Sequence, residues 1–413
     1  MDNPEKRPFE KNTKNYTFKY LQFASSLISG YDGAEPFHLY FKKYFSANKK
    51  HGSRDRKQIT ALCYDFFRLG HGVSGQVSLH EKFLLGIFLC ESAPSSLLAS
   101  LKHEWNEKIT KILESKLELV KEIFHSKIVF PFNESLSDKI NLAQFALSFL
   151  KQPKLFIRIR PGKKISVLDK LKKANFSFEK MNEQCIAFAH NEKVTDILSI
   201  DKEAAVQDYN SQRVGEFILK YGTFARNVEK NNSPINVWDC CAGSGGKSIL
   251  AADILKNIQL TVTDIRSSIL QNLHKRFASA GIKNYQSFVA DIASKKMPPI
   301  DSSFELIIAD VPCSGSGTWA RTPEQLRFFK EEAIDRYALL QKNIIKNVTP
   351  HLQDNGILLY ITCSVFKKEN EDNVDFIAKT FQLHLLEAEY LKGYEMQADT
   401  LFVAVFRKES IGH

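Results

Sequence analysis

The chain has 413 residues, of which 43% are apolar and 25% are charged, as in ordinary globular proteins with two or three domains. Its net charge of +10 favours a polyanionic partner, because clustered Lys and Arg gain affinity by releasing counterions from phosphates. The seven cysteines lack disulfide or zinc spacing, and no apolar run approaches the roughly 20 residues of a membrane span. We therefore expect a cytoplasmic, monomeric protein with reduced thiols, no metal and no membrane partner.

The N-terminal region, residues 1–135, is predicted to be a helical domain. Stretches such as Leu97–Leu119 place apolar residues three and four apart, and glycine and proline are sparse. Basic clusters at Lys42-Lys43 and Arg54–Lys57 lie within this region. Each cluster is explained equally well as an RNA-binding spot or as a solvated helix face.

Residues 136–225 are predicted to form a small α/β extension. Leu155–Arg160 alternates like a strand, and Ile165–Ala174 returns to helical spacing. Phe156 and Phe176 lie among many cations, and such a surface binds an RNA backbone and stacks bases if its aromatic rings are exposed. Both rings are explained as well by a place in the core. The cations are Lys151, Lys154, Arg158, Arg160, Lys163, Lys164, Lys170, Lys172 and Lys173.

Residues 226–413 repeat the order strand, glycine turn, helix, which predicts a doubly wound, mostly parallel sheet of Rossmann-like type. The predicted strands are Ile235–Trp238, Gln259–Thr263, Gln286–Val289, Leu306–Ala309 and Ile357–Ile361.

The first of these strands runs into a glycine-rich loop, Asp239–Ser248, that suits a cofactor. A phosphate-binding P-loop needs glycine where Cys241 stands, and a dinucleotide fingerprint needs its third glycine where Ser248 stands. S-adenosylmethionine fits better, because it carries no phosphate and needs a glycine turn with an acid at the end of the second strand. Asp264 occupies that place, and Asp291 ends the third strand, where such folds often hold the adenine edge.

Two cysteines follow neighbouring strands: Cys313 after Asp310-Val-Pro, and Cys363 after Tyr360-Ile-Thr. The carboxyl ends of parallel strands hold ligands in open α/β sheets, so both thiols are expected to face one pocket. A thiolate that attacks C6 of cytosine turns C5 into a nucleophile strong enough to accept a methyl group. Asp310 is placed to act near N3 or to hold the exocyclic amine. The alternative is that each cysteine is a buried, inert apolar residue.

At these residues the chain resembles the RNA cytosine-C5 methyltransferases of the RsmB/NOL1/NOP2/sun group, in particular its bacterial branch that acts on ribosomal RNA. The motifs that carry the resemblance are Gln207-Asp208 with Ser211, Asp239–Ser248, Asp310–Gly317 and Tyr360–Asn370. The resemblance implies that Cys363 attacks C6 and that Cys313 assists release of the adduct. It also implies cofactor contacts at Cys241, Ala242, Gly243, Ser244, Gly245, Gly246, Lys247, Asp264, Asp291 and Asp310.

Upstream, Gly52–Arg56 and Leu62–Arg68 resemble a NusB-like RNA-binding domain, and residues 153–206 resemble the extension that the group places before its catalytic core. The group's loop usually reads Cys-Ala-Ala-Pro-Gly-Gly-Lys, whereas Gly243 and Ser244 here replace Ala-Pro, which is expected to loosen the turn.

Small-subunit ribosomal RNA is the expected substrate, and transfer RNA is the alternative within the same activity. A DNA cytosine methyltransferase would use Cys313 as the nucleophile and leave Cys363 without a role. An inactive RNA-binding assembly factor would be expected to have lost part of the site, yet Cys363, Cys313, Asp310 and the loop glycines are all present.

Overall fold

The computed structural model describes residues 7–190, 192–222, 233–294, 300, 303–381 and 383–409, with side chains from residue 18 onward. The chain divides into two compact units. The helical unit comprises Met1–Glu134, Asn141–Gln152 and Trp319–Lys330, and the sheet unit comprises Ser135–Ile140, Pro153–Thr318 and Glu331–His413. The three domains expected from the sequence stay a prediction, and the boundary at residue 225 lies outside the described residues.

The helical unit confirms the helical character expected of the N-terminal region. Its helices are α1 (Arg7–Gly30), α2 (Phe37–Ala47), α3 (Ser53–Arg68), α4 (Leu79–Cys90), α5 (Ser96–Leu101), α6 (His103–Glu107), α7 (Leu113–Leu119), α8 (Leu142–Ser148) and α13 (Gln325–Phe328). The periodic stretch Leu97–Leu119 is broken into three helices. The backbone of Lys102 leaves helical geometry at φ −145° and ψ 63° between α5 and α6, and residues 108–112 separate α6 from α7.

The segment Trp319–Lys330 belongs to the core of the helical unit although it comes late in the chain. The indole of Trp319 packs on the rings of Phe130 and Phe132, with centroids 6.0 and 5.7 Å apart. The guanidinium of Arg327 lies 4.6 Å from the ring centroid of Phe66. Aromatic packing of this kind buries large apolar areas and stabilises the unit.

The extension is a four-stranded antiparallel sheet in the order β2-β3-β1-β4, with one helix packed on it. Its elements are β1 (Leu155–Ile159), α9 (Lys164–Lys173), β2 (Glu179–Lys180), β3 (Cys185–Phe188) and β4 (Ala204–Val206). Val167 and Leu171 of α9 close its core. Phe156 is 1% exposed and Phe176 packs against the same core, so both phenylalanines are core residues rather than stacking partners for bases.

The large sheet has seven strands in the order β10-β11-β9-β8-β5-β6-β7. The strands are β5 (Ile235–Asp239), β6 (Ile258–Asp264), β7 (Tyr285–Val289), β8 (Phe304–Asp310), β9 (Leu352–Thr362), β10 (Leu383–Leu391) and β11 (Leu401–Lys408). The first five confirm the predicted parallel strands. The sequence reasoning missed β10 and β11, and β11 runs antiparallel to both of its neighbours.

Helices cover this sheet and bury its apolar residues. They are α10 (Tyr209–Gly222), α11 (Gly246–Leu255), α12 (Ser267–Ala280), α14 (Ala333–Val348) and α15 (Glu371–Thr380). One core cluster joins residues of α10, α11 and α12 to strand residues such as Val237, Leu260 and Ile308. None of the helices in the described part of the chain combines the length and apolar character that crossing a membrane requires.

Candidate active site

A cavity of about 670 Å³ opens at the carboxyl ends of β5, β6 and β8, a volume typical of sites for small ligands. The predicted site residues that line it are Cys241, Ala242, Gly243, Ser244, Gly246, Lys247, Asp264, Asp291, Asp310 and Cys313. Tyr337, Leu340 and Ile344 of α14 add apolar surface that the sequence reasoning did not anticipate. Gly245 and Cys363 are not part of this lining.

The glycine loop between β5 and α11 depends on conformations that only glycine adopts easily. Gly245 has a φ of +83°, and a Cβ there would lie 2.6 Å from a ring carbon of Phe277. Gly243, which stands where the resembled group usually has alanine, has a φ of +53° and so adopts a left-handed conformation. The loop therefore turns sharply and brings its backbone to the cavity wall.

Asp264 orders this loop as well as facing the cavity. Its Oδ2 accepts the backbone N–H of Gly243 at 3.0 Å, and its Oδ1 accepts the backbone N–H and the Nε of Arg266 at 2.9 and 3.0 Å. Burial alone raises the pKa of this carboxyl, but the hydrogen bonds and charge of Arg266 outweigh burial and hold it below its usual value. Asp264 is therefore a charged acceptor, as a ribose-binding residue requires.

Two further aspartates differ in their environment. Asp291 is exposed, and its Oδ1 accepts the N–H of Ala293 at 3.0 Å while the residue lines the cavity. Asp239 is completely buried, its Oδ2 accepts the hydroxyl of Ser248 at 2.6 Å, and its Oδ1 has no hydrogen-bond partner among the described residues. Burial raises the pKa of Asp239 to about 7. Asp239 thus holds the first turn of α11 through its hydrogen bond with Ser248.

Lys247 and Asp310 form an ion pair at the base of the cavity, with Nζ and Oδ2 2.8 Å apart. Burial disfavours the ammonium, but the charges of Asp310 and Cys363 outweigh burial and raise the pKa of Lys247. The sequence reasoning placed Lys247 in the cofactor loop but did not predict its ion pair with Asp310, because the position of a lysine in a motif does not show its partner. Because Asp310 already accepts from an ammonium, its geometry suits holding an amine better than donating a proton.

The two cysteine loops are in contact, although of the two predicted cysteines only Cys313 lines this cavity. The backbone N–H of Cys363 donates to the Sγ of Cys313 at 3.2 Å, and the carbonyl of Cys363 accepts the N–H of Gly317 at 2.8 Å. A Cβ at residue 317 would lie 2.0 Å from the carbonyl oxygen of Thr400, so only glycine permits this close approach. A separate side-chain hydrogen bond between the two thiols, followed by burial, raises the pKa of the Cys363 thiol well above its usual range, and the charge of Lys247 opposes this.

A single buried carboxylate braces both cysteine loops. One oxygen of Glu369 accepts the N–H of Ser314 at 2.9 Å, and the other accepts the hydroxyl of Ser364 at 2.6 Å. These serines directly follow Cys313 and Cys363. Burial raises the pKa of Glu369, while the hydrogen bonds it accepts lower it. The motif contained Glu369, but the sequence reasoning assigned it no role.

Several cations expected on an RNA surface are engaged within the sheet unit. Arg158 is 2% exposed and donates to Asp253 Oδ2 at 2.6 Å, and Arg160 donates to Asp253 Oδ1 at 2.6 Å. Lys170 pairs with Glu203 at 2.7 Å. The expectation that all of these cations face RNA is therefore wrong for Arg158. The cations of this group that stay exposed on or beside α9 include Lys163, Lys172 and Lys173.

Comparison with known proteins identifies the region that contains these motifs. Residues 226–405 match the family model described as 16S rRNA methyltransferase RsmB/F. Ribosomal RNA small subunit methyltransferase F of Psychromonas ingrahamii is 30% identical over 152 residues, 36% of this chain and 31% of the relative. The 28S rRNA (cytosine-C(5))-methyltransferase of Mus musculus is 29% identical over 159 residues, 36% of this chain and 19% of the relative. The matches thus span a third or less of these relatives.

Solved structures show the same fold over more of the chain. The crystal structure of PH0851 has a TM-score of 0.65 at 18% identity and covers 94% of this chain and 97% of its own. NSun6 from Pyrococcus horikoshii, solved with SFG, has a TM-score of 0.56 at 14% identity and covers 65% of this chain and 94% of its own. The Rossmann-like methyltransferase fold is confirmed, and so is the resemblance of residues 226–405 to the RsmB/NOP2 group that the motifs indicate.

Proposed function

We propose that this protein transfers a methyl group from S-adenosylmethionine to C5 of a cytosine in RNA, through a covalent bond between Cys363 and C6 of the base. The observation that carries the proposal is the contact between the Cys363 backbone and the Cys313 sulfur, 3.2 Å apart, beside a glycine-loop cavity. A methyltransferase acting on oxygen or an amine nitrogen has no use for such a pair of thiols.

The residues around the cavity fit the methyl donor. Asp264 is a charged acceptor suited to the ribose hydroxyls, and Asp291 lines the side expected to hold the adenine edge. Gly243 and Gly246 leave room for the ligand at the loop. When bound, S-adenosylmethionine would supply an electrophilic methyl group on a sulfonium, and the glycine loop with Asp264 would hold it in the cavity that Cys313 and Asp310 also line.

The reaction needs Cys363 to lose its proton before its sulfur forms a bond to C6. The electron pair of the C5–C6 double bond then moves to C5, which takes the methyl group. Loss of the C5 proton reforms the double bond and expels the Cys363 thiolate, so the enzyme is regenerated. We assign assistance in this release to Cys313, which lines the cavity, and retention of the exocyclic amine to Asp310.

Small-subunit ribosomal RNA is the proposed substrate. The support is the family description and the names of the bacterial relatives, which are small-subunit ribosomal RNA methyltransferases. Exposed lysines at 163, 172 and 173 add a surface suited to a phosphate backbone. We further propose that the helical unit is NusB-like and binds RNA, and that the protein acts as a monomer in the cytoplasm without a metal.

The test is incubation of the purified chain with unmodified small-subunit ribosomal RNA and methyl-labelled S-adenosylmethionine. Cys363→Ala is expected to abolish methyl transfer, and Cys313→Ala to accumulate a covalent protein–RNA adduct on a denaturing gel. Cys90→Ala, at a cysteine in the helical unit, is the matched control and is expected to retain activity.

Parallel reactions with transfer RNA and duplex DNA distinguish the alternatives. Methylation of transfer RNA alone would overturn the substrate assignment but not the chemistry. Full activity of Cys363→Ala would overturn the mechanism, and an adduct that depends on Cys313 instead would identify Cys313 as the nucleophile. No transfer to any of these nucleic acids by the wild type would favour an inactive assembly factor.

A further inference from the structure

Arg276 of α12 connects the cofactor loop to the extension. Its Nη1 donates to the carbonyl oxygen and to the hydroxyl of Ser244, each at 3.0 Å. Its Nε and Nη2 donate to the two carboxylate oxygens of Asp201 at 2.8 and 2.7 Å. A guanidinium that is held on two sides in this way has little freedom to leave either partner.

Asp201 is itself held firmly by the extension. Its backbone has a φ of +63°, and its N–H donates to the carbonyl of Ala204 at 2.8 Å. Its carbonyl accepts Nη1 of Arg160 at 2.8 Å, and Arg160 also pairs with Asp253 of α11 at 2.6 Å. The side chain of Asp201 is 7% exposed, so this carboxylate is a fixed point rather than a mobile surface group.

The cofactor loop needs such an anchor. Ser244 lies between Gly243 and Gly245, which have φ values of +53° and +83°. Glycine loses more conformational freedom on ordering than other residues, so a loop with this sequence is costly to hold in one shape. Asp264 holds the Gly243 end through its N–H, whereas Arg276 holds the peptide of Ser244 itself.

We propose that Arg276 is a positioning residue for the methyl donor, which fixes the Ser244 part of the cofactor loop by tying it to Asp201 of the extension. Arg276 does not line the cavity and acts through Ser244, which does. The inference rests on the proposed cofactor site, and it deepens it by assigning loop order to a residue outside the family's loop motif.

The experiment is calorimetric titration of the full chain with S-adenosylmethionine, without RNA. Arg276→Ala is expected to weaken binding about tenfold, which is the usual effect of losing a charge-assisted hydrogen bond. Arg276→Lys and Asp201→Asn are expected to weaken binding less, because each keeps part of the bridge. Lys275→Ala removes an exposed charge from the neighbouring position of the same helix and is expected to bind as the wild type does.

A merely structural role is distinguished by kinetics and by rescue. Methyl transfer by Arg276→Ala is expected to show a higher KM for S-adenosylmethionine with kcat unchanged at saturation. Ser244→Pro added to Arg276→Ala is expected to recover part of the affinity, because proline restricts the backbone without any contact from residue 276. Ser244 is not among the residues with a positive φ, and proline stands at this place in the usual loop of the group that the motifs resemble.

Ser244→Ala is the second variant in case Arg276→Ala does not fold. It removes only the hydroxyl that accepts from Arg276 and is expected to weaken binding of S-adenosylmethionine about threefold. Wild-type affinity in both Arg276→Ala and Ser244→Ala would overturn the inference while leaving the proposed function intact. Failure of the wild type to bind S-adenosylmethionine would instead overturn the proposed function, and the inference with it.

Discussion

The backbone N–H of Cys363 donates a hydrogen bond to the sulfur of Cys313 across 3.2 Å, so the proposed nucleophile and the proposed release residue are in direct contact. Glu369 holds the residue after each of them. A substitution that displaces one cysteine loop is therefore expected to displace the other loop as well.

Removing Cys313 is expected to make Cys363 easier to deprotonate. The side-chain hydrogen bond between the thiols of Cys313 and Cys363 is the largest cause that raises the pKa of the Cys363 thiol, followed by burial. Adduct formation by Cys313→Ala should therefore reach its maximal rate at lower pH than adduct formation by Cys313→Ser, which keeps a hydrogen-bonding group. Quenched single-turnover reactions between pH 6 and 10 would measure this, and identical profiles for the two variants would contradict it.

Lys247 and Asp310 are expected to shift the pH profile of adduct formation in opposite directions. Lys247 lowers the pKa of the Cys363 thiol and Asp310 raises it. Lys247→Met should therefore move adduct formation to higher pH, and Asp310→Asn to lower pH. Lys247→Met should also destabilise the fold, by less than the ~3–5 kcal/mol of a fully buried pair, because Asp310 is 26% exposed. Equal shifts in the same direction would argue against this electrostatic account.

Glu369→Gln is expected to lower kcat about a hundredfold while leaving the affinity for S-adenosylmethionine unchanged. The carboxylate accepts from Ser314, Ser364 and Gln341, and an amide at residue 369 would turn one of its two acceptor atoms into a donor. One of the two cysteine loops would then lose a bond that aligns it with the other. A matched loss of cofactor binding, measured by titration, would indicate a general folding defect instead.

Asp65 in the helical unit is expected to make stability depend on pH. Burial raises its pKa to about 8, whereas an aspartate in the unfolded chain titrates near the ordinary value of about 4. Between these values the folded chain retains a proton that the unfolded chain has lost, so Asp65 contributes a loss of stability as pH rises through this window. Asp65→Asn should lack this loss.

Urea unfolding at pH 5, 7 and 9 would measure the difference, with Asp65→Asn gaining on the wild type as pH rises. Asp138→Asn, at an exposed position, serves as the control and should follow the wild type at every pH. A constant gap between Asp65→Asn and the wild type would show that Asp65 does not titrate in this range.

The exposed lysines beside α9 are expected to set the salt dependence of RNA binding. Replacing Lys163, Lys172 and Lys173 by alanine should lower the slope of log affinity against log salt by roughly 0.7–0.9 for each phosphate that is no longer neutralised. Lys170→Ala should change the slope less, because Lys170 is already paired with Glu203. An unchanged slope in the triple variant, measured by filter binding, would remove this surface from the RNA interface.

The strands that could be predicted are those with apolar runs ended by a turn or a functional loop, as in Ile235–Asp239 before the glycine loop. Leu383–Leu391 is an edge strand in which Glu387 and Glu389 alternate with other residues, a signal for a strand that the sequence reasoning did not use. The run Leu401-Phe-Val-Ala-Val-Phe was long enough to be found, but its reversed direction depends on pairing with distant strands.

The residues of the site also divide into those that the sequence could place and those that depend on tertiary packing. The cysteines and the cofactor aspartates could be placed because each follows a strand in the sequence. The partners of Glu369, Arg276 and Arg158 could not, because ion pairs and hydrogen bonds between distant segments depend on how the helices and sheets pack. For the same reason the sequence could not distinguish buried Arg158 from exposed Lys172.

The inclusion of Trp319–Lys330 in the helical unit makes the methyltransferase region an incomplete module. A fragment restricted to the family-matched residues 226–405 would carry Trp319 and Leu326, which are 1% and 0% exposed in the whole chain, without the aromatic residues that cover Trp319. Exposed apolar side chains of this size promote aggregation. Domain exchange or truncation at residue 135 is therefore expected to yield a product that aggregates.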